Sequence, residues 1–132
     1  MSNALQPKFK ETMLAAALAG TVKAQLVHLA AYTYSPSHQF LSSVPAGARV
    51  GAPVTLTGKT FTGGVFGAAN AAFSGLTSAP TIEALWIYVD TGDETTSPLV
   101  HFIDTATGLP IPAGTTGGTV TWDNGPNKIF SL

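Results

Sequence analysis

Thr21–Tyr34 reads TVKAQLVHLAAYTY, and its period decides the fold. Val22, Ala24 and Leu26 alternate against Lys23, Gln25 and Val27, and the stretch is rich in β-branched and aromatic residues. A two-residue repeat of this kind is the signature of a strand. Immediately upstream the repeat is different. Residues 3–20, NALQPKFKETMLAAALAG, place Leu5, Phe9, Met13 and Ala16/Ala17 at spacings of three and four, with Leu14 and Leu18 alongside. Such spacing gathers side chains on one face of a helix. Pro7 suits the first turn, where its missing N–H leaves nothing unpaired, and Gly20 suits the C-terminal cap. The pattern predicts a helix over about residues 7–19.

Downstream of Tyr34 the strand signal recurs in short pieces: ARVGAPVTLTGKTFT (48–62), GGVFGAANAAFSGL (63–76), TIEALWIYVD (81–90), PLVHFIDT (98–105) and GTVTWDNGPNKIFSL (118–132). Each is bounded by Gly, Pro, Asp or Asn, the residues that make turns. A helix followed by many short strands predicts a mainly β chain, a β-sandwich or jelly-roll-like domain behind one N-terminal α-helix. The length of 132 residues suits one domain over residues 1–132, with the helix at about 7–19 and the β part from about 21 onward.

Three aspartates punctuate the second half. Asp90, Asp104 and Asp123 each follow an apolar run and precede a turn-forming sequence, so each is expected to brace a structural turn. Asp123, Asn124 and Gly125 predict the turn of a C-terminal hairpin, with Val120 and Trp122 on one face and Ile129-Phe130 running back. Of Ile129 and Phe130, one is expected in the core and the other on a neighbour. Asp90, Asp93 and Glu94 are oxygen ligands close in sequence, but they lack the twelve-residue calcium loop ending in Glu. No metal or cofactor is expected.

Only 10% of the residues are charged, against about 25% in an ordinary domain, while 45% are hydrophobic. The net charge of −1 hides an asymmetry. Lys8, Lys10, Lys23, Arg49 and Lys59 face only Glu11 in residues 1–59, whereas Glu83, Asp90, Asp93, Glu94, Asp104 and Asp123 face only Lys128 beyond them. Opposite halves of this kind attract either within one fold or between copies. Clustered Lys and Arg with interleaved aromatics are missing, so nucleic acid is not an expected partner. The chain has no cysteine, which excludes disulfides and thiolate metal sites. No apolar run approaches the ~18 residues of a membrane span. Lys8 and Lys10 ahead of the alanine-rich run invite a secretory signal, but the run is short and Glu11 and Thr12 interrupt its start.

Catalytic signals are weak. Ser35, Ser37, His38 and Ser42 lie close together in YTYSPSHQFLSS, yet no G-x-S-x-G elbow occurs, and Ser74 in AAFSGL lacks the first Gly. Ser35-Pro36 is expected to start a turn that His38 pins by hydrogen bonding. Ser37 is expected to cap a short helix through Phe40 and Leu41, which Pro45 ends. His28 and His101 sit in strand-like runs without zinc spacing. Glu83 forms no glycosidase pair with any aspartate that spacing would single out. The expectation is a protein that is not an enzyme.

The ordered blocks YTYSPSHQFLSSVPAGARV…LTGKT, GVF…AAF, EALWIYVDTG, SPLVHFIDTATGLP and VTWDNGPNKIFSL resemble a family of small proteins encoded among the structural genes of tailed bacteriophages. Members carry acidic residues after the first strand and in the GVF block, where this chain has His28, Ala31, Gly67 and Asn70. The resemblance implies a virion protein, assembled in the host cytoplasm. Its expected role is an accessory piece that decorates or cements the capsid, or anchors fibres at the head–tail region. The implied partners are further copies of the chain and other virion proteins. Phe9, Met13, Trp86, Trp122, Ile129 and Phe130 are the candidate contact residues, since aromatic and large apolar side chains dominate interface energetics. The alternative is a receptor- or carbohydrate-binding module of a tail fibre, with Trp86, Tyr88 or Trp122 facing a sugar.

Overall fold

A computed structural model describes residues 3–76, 79–122 and 128–132. The chain is mainly β with a single α-helix at its start, as the change of period at Gly20 predicts. Helix α1 spans Pro7–Ala17, and strands follow at β1 (Thr21–Val27), β2 (Arg49–Thr55), β3 (Val65–Phe66), β4 (Ala71–Phe73), β5 (Ala84–Asp90), β6 (Leu99–Ile103), β7 (Gly118–Val120) and β8 (Phe130–Ser131). Four of these form one antiparallel sheet in the order β2-β1-β5-β6, and two small ladders, β3-β8 and β4-β7, complete the β structure.

The central sheet is covered on both faces. Val22, Ala24 and Leu26 of β1, with Leu85 and Ile87 of β5, belong to the main core with Phe66, Phe73, Val120, Trp122 and Ile129 from the ladders. Val27 and Trp86 project the other way, against Tyr32, Val44 and Ala48. That second cover is the segment joining β1 to β2. β1 therefore ends sooner than its sequence suggests: after Val27 the chain makes a 3-10 turn over Leu29–Ala31 and crosses the sheet. The His28 side chain fixes the departure, because its Nδ1–H donates to Thr81 O at 2.6 Å and lies 3.2 Å from Glu83 Oε1.

One polar side chain is buried inside the sheet. Between Ala24 and Leu26 the β1–β2 register slips, so that two steps along β1 match four along β2. Gln25 lies opposite Trp86 at this bulge, and its amide donates to the carbonyls of Leu26, Val50 and Gly51 at 3.1–3.2 Å. Gly51 turns the bulge with φ of +70°, a conformation open to glycine at little steric strain.

Helix α1 is shorter than the sequence predicts and rotated relative to the expected stripe. It ends at Ala17, and Leu18 caps it. The inward residues are Leu14 and Leu18, while Leu5 and Phe9 remain 49% and 54% exposed and Met13 is half-buried. Polar anchors set this rotation. Glu11 Oε2 accepts the Gly63 N–H at 2.7 Å, and Lys59 Nζ donates to the carbonyls of Leu18 and Gly20, both at 2.7 Å. A cation on unpaired carbonyls at a helix C-terminus is favourable through both hydrogen bonding and the helix dipole. Gly64, at φ of +84°, lets the backbone come so near the helix that an added Cβ would lie 2.6 Å from Lys10 Cβ.

The C-terminal hairpin expectation fails. Its turn residues Asp123 and Gly125 lie outside the described residues, but its arms part company: β7 pairs with β4, and β8 pairs with β3. Val120, Trp122 and Ile129 all reach the main core by this route. The Trp122 indole N–H donates to Ala69 O at 2.9 Å, the Ile129 N–H to Phe66 O and the Leu132 N–H to Gly64 O.

Candidate functional site

The loop that covers the second face of the sheet carries the Ser–His stretch. Tyr32 is buried, and its hydroxyl shares a 2.7 Å hydrogen bond with His38 Nδ1. Burial pushes the Tyr32 hydroxyl above the ordinary tyrosine value, and the neighbouring Trp86 N–H partly opposes the rise. That buried N–H has no hydrogen-bond partner among the described residues. Ser35 Oγ accepts the Ser37 N–H at 3.2 Å and bonds Ser37 Oγ at 2.8 Å, while the His38 N–H donates to Ser35 O. The side chains therefore close a local turn over Ser35–His38. Ser37 caps no helix. The next helical turn is a 3-10 turn at Leu41–Ser43 with Phe40 at its N-cap, because the backbone of Gln39–Leu41 is drawn against the start of β6. Among the described residues, no serine hydroxyl is hydrogen-bonded to a histidine ring.

Tyr34, two residues beyond Tyr32, stays on the outside at 49% exposure. Its ring stacks over Trp86, with centroids 6.0 Å apart and planes at 29°, and meets Phe102 of β6 at 5.2 Å. These residues, with Ser35, His38 and His101, border an open cleft of about 360 Å³ along the sheet edge. His101 sits half-buried with its ring 5.1 Å from Phe130, and burial holds its pKa below the usual histidine value.

Asp90, Asp93 and Glu94 are engaged by the protein itself, whereas Asp104 makes no hydrogen bond to a turn backbone, contrary to expectation, and Asp123 lies outside the described residues. Asp90 Oδ1 accepts the Gly92 N–H at 2.9 Å and Oδ2 pairs with Lys23 at 2.8 Å, so hydrogen bonding and the Lys23 charge hold this carboxyl below its ordinary pKa. Asp93 Oδ1 accepts both the backbone N–H and the hydroxyl of Thr95, which lowers its pKa in the same way. Glu94 pairs with Arg49 at 2.8 Å. Asp104 accepts only the neighbouring Thr105 hydroxyl, at 3.2 Å. No group of three metal-binding side chains occurs among the described residues. Tyr88, buried beside this network, has its hydroxyl pushed up to about 12, first by burial and then by Asp90, with Arg49 opposing. The positive first half and negative second half of the sequence thus meet inside one molecule.

Most of the aromatic anchors proposed from sequence belong to the core. Trp86, Trp122 and Ile129 are 5%, 6% and 8% exposed, so none is free to grip a neighbour, and Trp86, Tyr88 and Trp122 are too deeply buried to face a sugar. Phe130 is half-buried against Phe66 and His101. Phe9 alone among the six candidates is exposed, with Met13 half-buried near it on the helix. Tyr34 was not singled out by sequence, and strand alternation in YTYS would put it on the same face as Tyr32, so its outward position carries no signal in the sequence.

Among the described residues, no helix is long and apolar enough to cross a membrane. In comparisons with known proteins, no family model matches the chain, and no curated protein matches it.

Proposed function

We propose that this chain is a non-enzymatic structural protein of a tailed-phage particle, an accessory piece that joins the particle through the outward face of α1. The observation that carries the reading is the pairing of opposite properties on one short helix. Its inner face is fastened by Leu14, Leu18, Glu11 and the Lys59 cap, while Phe9, and Leu5 just ahead of the first turn, stand half exposed. Large apolar side chains held rigidly in water are the residues that drive association when a partner covers them. The internal pairing of Lys23 with Asp90 and Arg49 with Glu94 further reduces the already sparse surface charge, which favours a part enclosed by neighbours. The sequence resemblance supplies the particle; the helix supplies the contact.

The test is co-sedimentation of the purified chain with the phage's capsid shells, together with light scattering on the chain alone. The Leu5→Glu, Phe9→Glu double variant should melt like the parent, because neither residue is buried, and should lose particle association. A parent chain that ignores the particle, or a double variant that binds it equally well, refutes the reading.

A further inference from the structure

We propose that the cleft beside Tyr34 binds a neutral pyranose sugar, with the outer face of the Tyr34 ring as its stacking platform. This inference is independent of the role of α1, since the cleft lies on the loop-covered edge of the sheet. Three features define the ligand. First, the platform is one-sided. Trp86 is 5% exposed and already covered by Tyr34, so an incoming ring meets the outer face of Tyr34 and the side of Phe102. A flat heteroaromatic ligand gains most from a slot with two open faces. A pyranose uses one, laying its C–H face on the ring while its hydroxyls turn outward.

Second, among the described residues the lining holds no carboxylate, lysine or arginine. An ionic ligand would meet no counter-charge, whereas a hydroxyl-rich neutral one finds the Ser35 hydroxyl and the His38 ring nitrogen that Tyr32 leaves free, groups able to exchange hydrogen bonds with sugar hydroxyls. Third, the platform is held ready. The Ser35–His38 turn is closed by its own hydrogen bonds, and Tyr32 is locked to His38 just before it. Little ordering entropy is then left to lose when a ligand arrives. A volume of about 360 Å³ lies at the small end of ligand pockets, enough for one sugar ring with the next residue of a chain projecting out.

Trp86 beneath the platform offers a built-in reporter. The experiment titrates the full chain with maltotriose, cellotriose, chitotriose and β-1,4-galactobiose, following tryptophan fluorescence and calorimetric heat. At least one of these should bind, Tyr34→Phe should keep affinity within about two-fold, and Tyr34→Ala should weaken it about ten-fold or more. Thermal melts of both variants confirm that this exposed side chain can be replaced without unfolding. The proposal is overturned if none of the four binds up to about 10 mM, or if Tyr34→Ala binds as the parent does. Capsid co-sedimentation of Tyr34→Ala should match the parent, which separates failure of the cleft from failure of the helix contact.

Discussion

Replacing Gln25 with methionine isolates the one buried amide of the central sheet. Methionine matches glutamine in length and bulk but has no N–H to give. The amide faces three carbonyls at 3.1–3.2 Å and owns only two protons, so two hydrogen bonds are made at a time and one proton is shared. Each bond is worth about 1 kcal/mol net, and a buried carbonyl left without a partner costs about 1–3 kcal/mol. Gly51 is exposed, so its carbonyl can turn to water, while Leu26 and Val50 are buried. The expected loss is therefore about 2–3 kcal/mol after the gain from burying an apolar thioether. For a chain of this size that corresponds to a fall in Tm on the order of 10 °C. Urea unfolding followed by tryptophan fluorescence should show the midpoint shift with an unchanged slope. Gly51→Ala, whose added Cβ would lie 2.6 Å from Leu76 Cδ2, should be destabilising on its own, and the double variant should lose less than the sum, because both changes open the same bulge. A Gln25→Met loss below about 0.5 kcal/mol, the level of an ordinary surface change, would show that the amide is not what holds the bulge closed.

Loss of the His38 side chain removes the bond to Tyr32, so His38→Ala should lower stability by about 1 kcal/mol in thermal melts and abolish no hydrolysis of esters, peptides or glycans. An activity that disappears in this variant would contradict the non-enzymatic proposal. Glu11, Asp90 and Asp93 all have lowered folded-state pKa values, and a carboxyl of that kind stabilises the fold above its unfolded pKa and ceases to do so as pH falls through the folded one. Urea midpoints should accordingly drop below about pH 4, and Asp90→Asn should flatten that dependence. His101 is likewise lowered, so protonation favours the unfolded chain and stability should decline as pH falls from the ordinary histidine pKa of 6.5 toward the folded value; His101→Phe should remove that slope. Deleting Ile129–Leu132 removes β8 from β3 and a buried side chain from the core, and should destabilise the protein by several kcal/mol; a truncated chain that melts like the parent would refute that role.

The class of the fold was legible because period is a local property. The switch at Gly20 from helical to alternating spacing marks α1 and β1 within a few residues, and the apolar run of β5 declares a strand buried on both faces. Partnering was not legible. Nothing in GTVTW or KIFSL tells which strand each will join, since the apolar demands of Val120, Trp122 and Ile129 are met equally by any arrangement that buries them. The outward turn of Leu5 and Phe9 was hidden for a similar reason. An apolar stripe predicts its own burial until one knows that Glu11 and Lys59 hold the helix by a different face. The Tyr34 platform is the product of a crossing loop, and loops have no period to read.

The pairing of β1 with β5 also has a consequence for how the protein is made. Thr21 lies opposite Asp90 and Val27 opposite Ala84, so the partner of the first strand is synthesised about sixty residues later. At roughly 5–20 residues per second, a ribosome takes several seconds to deliver it. Throughout that interval β2 is the only strand of the central sheet that β1 can pair with, and the β1 edge that β5 will fill stays open. Nascent chains halted before Ala84 should thus be the species that ribosome-associated chaperones hold, while chains released beyond Asp90 gain the strand that closes the sheet.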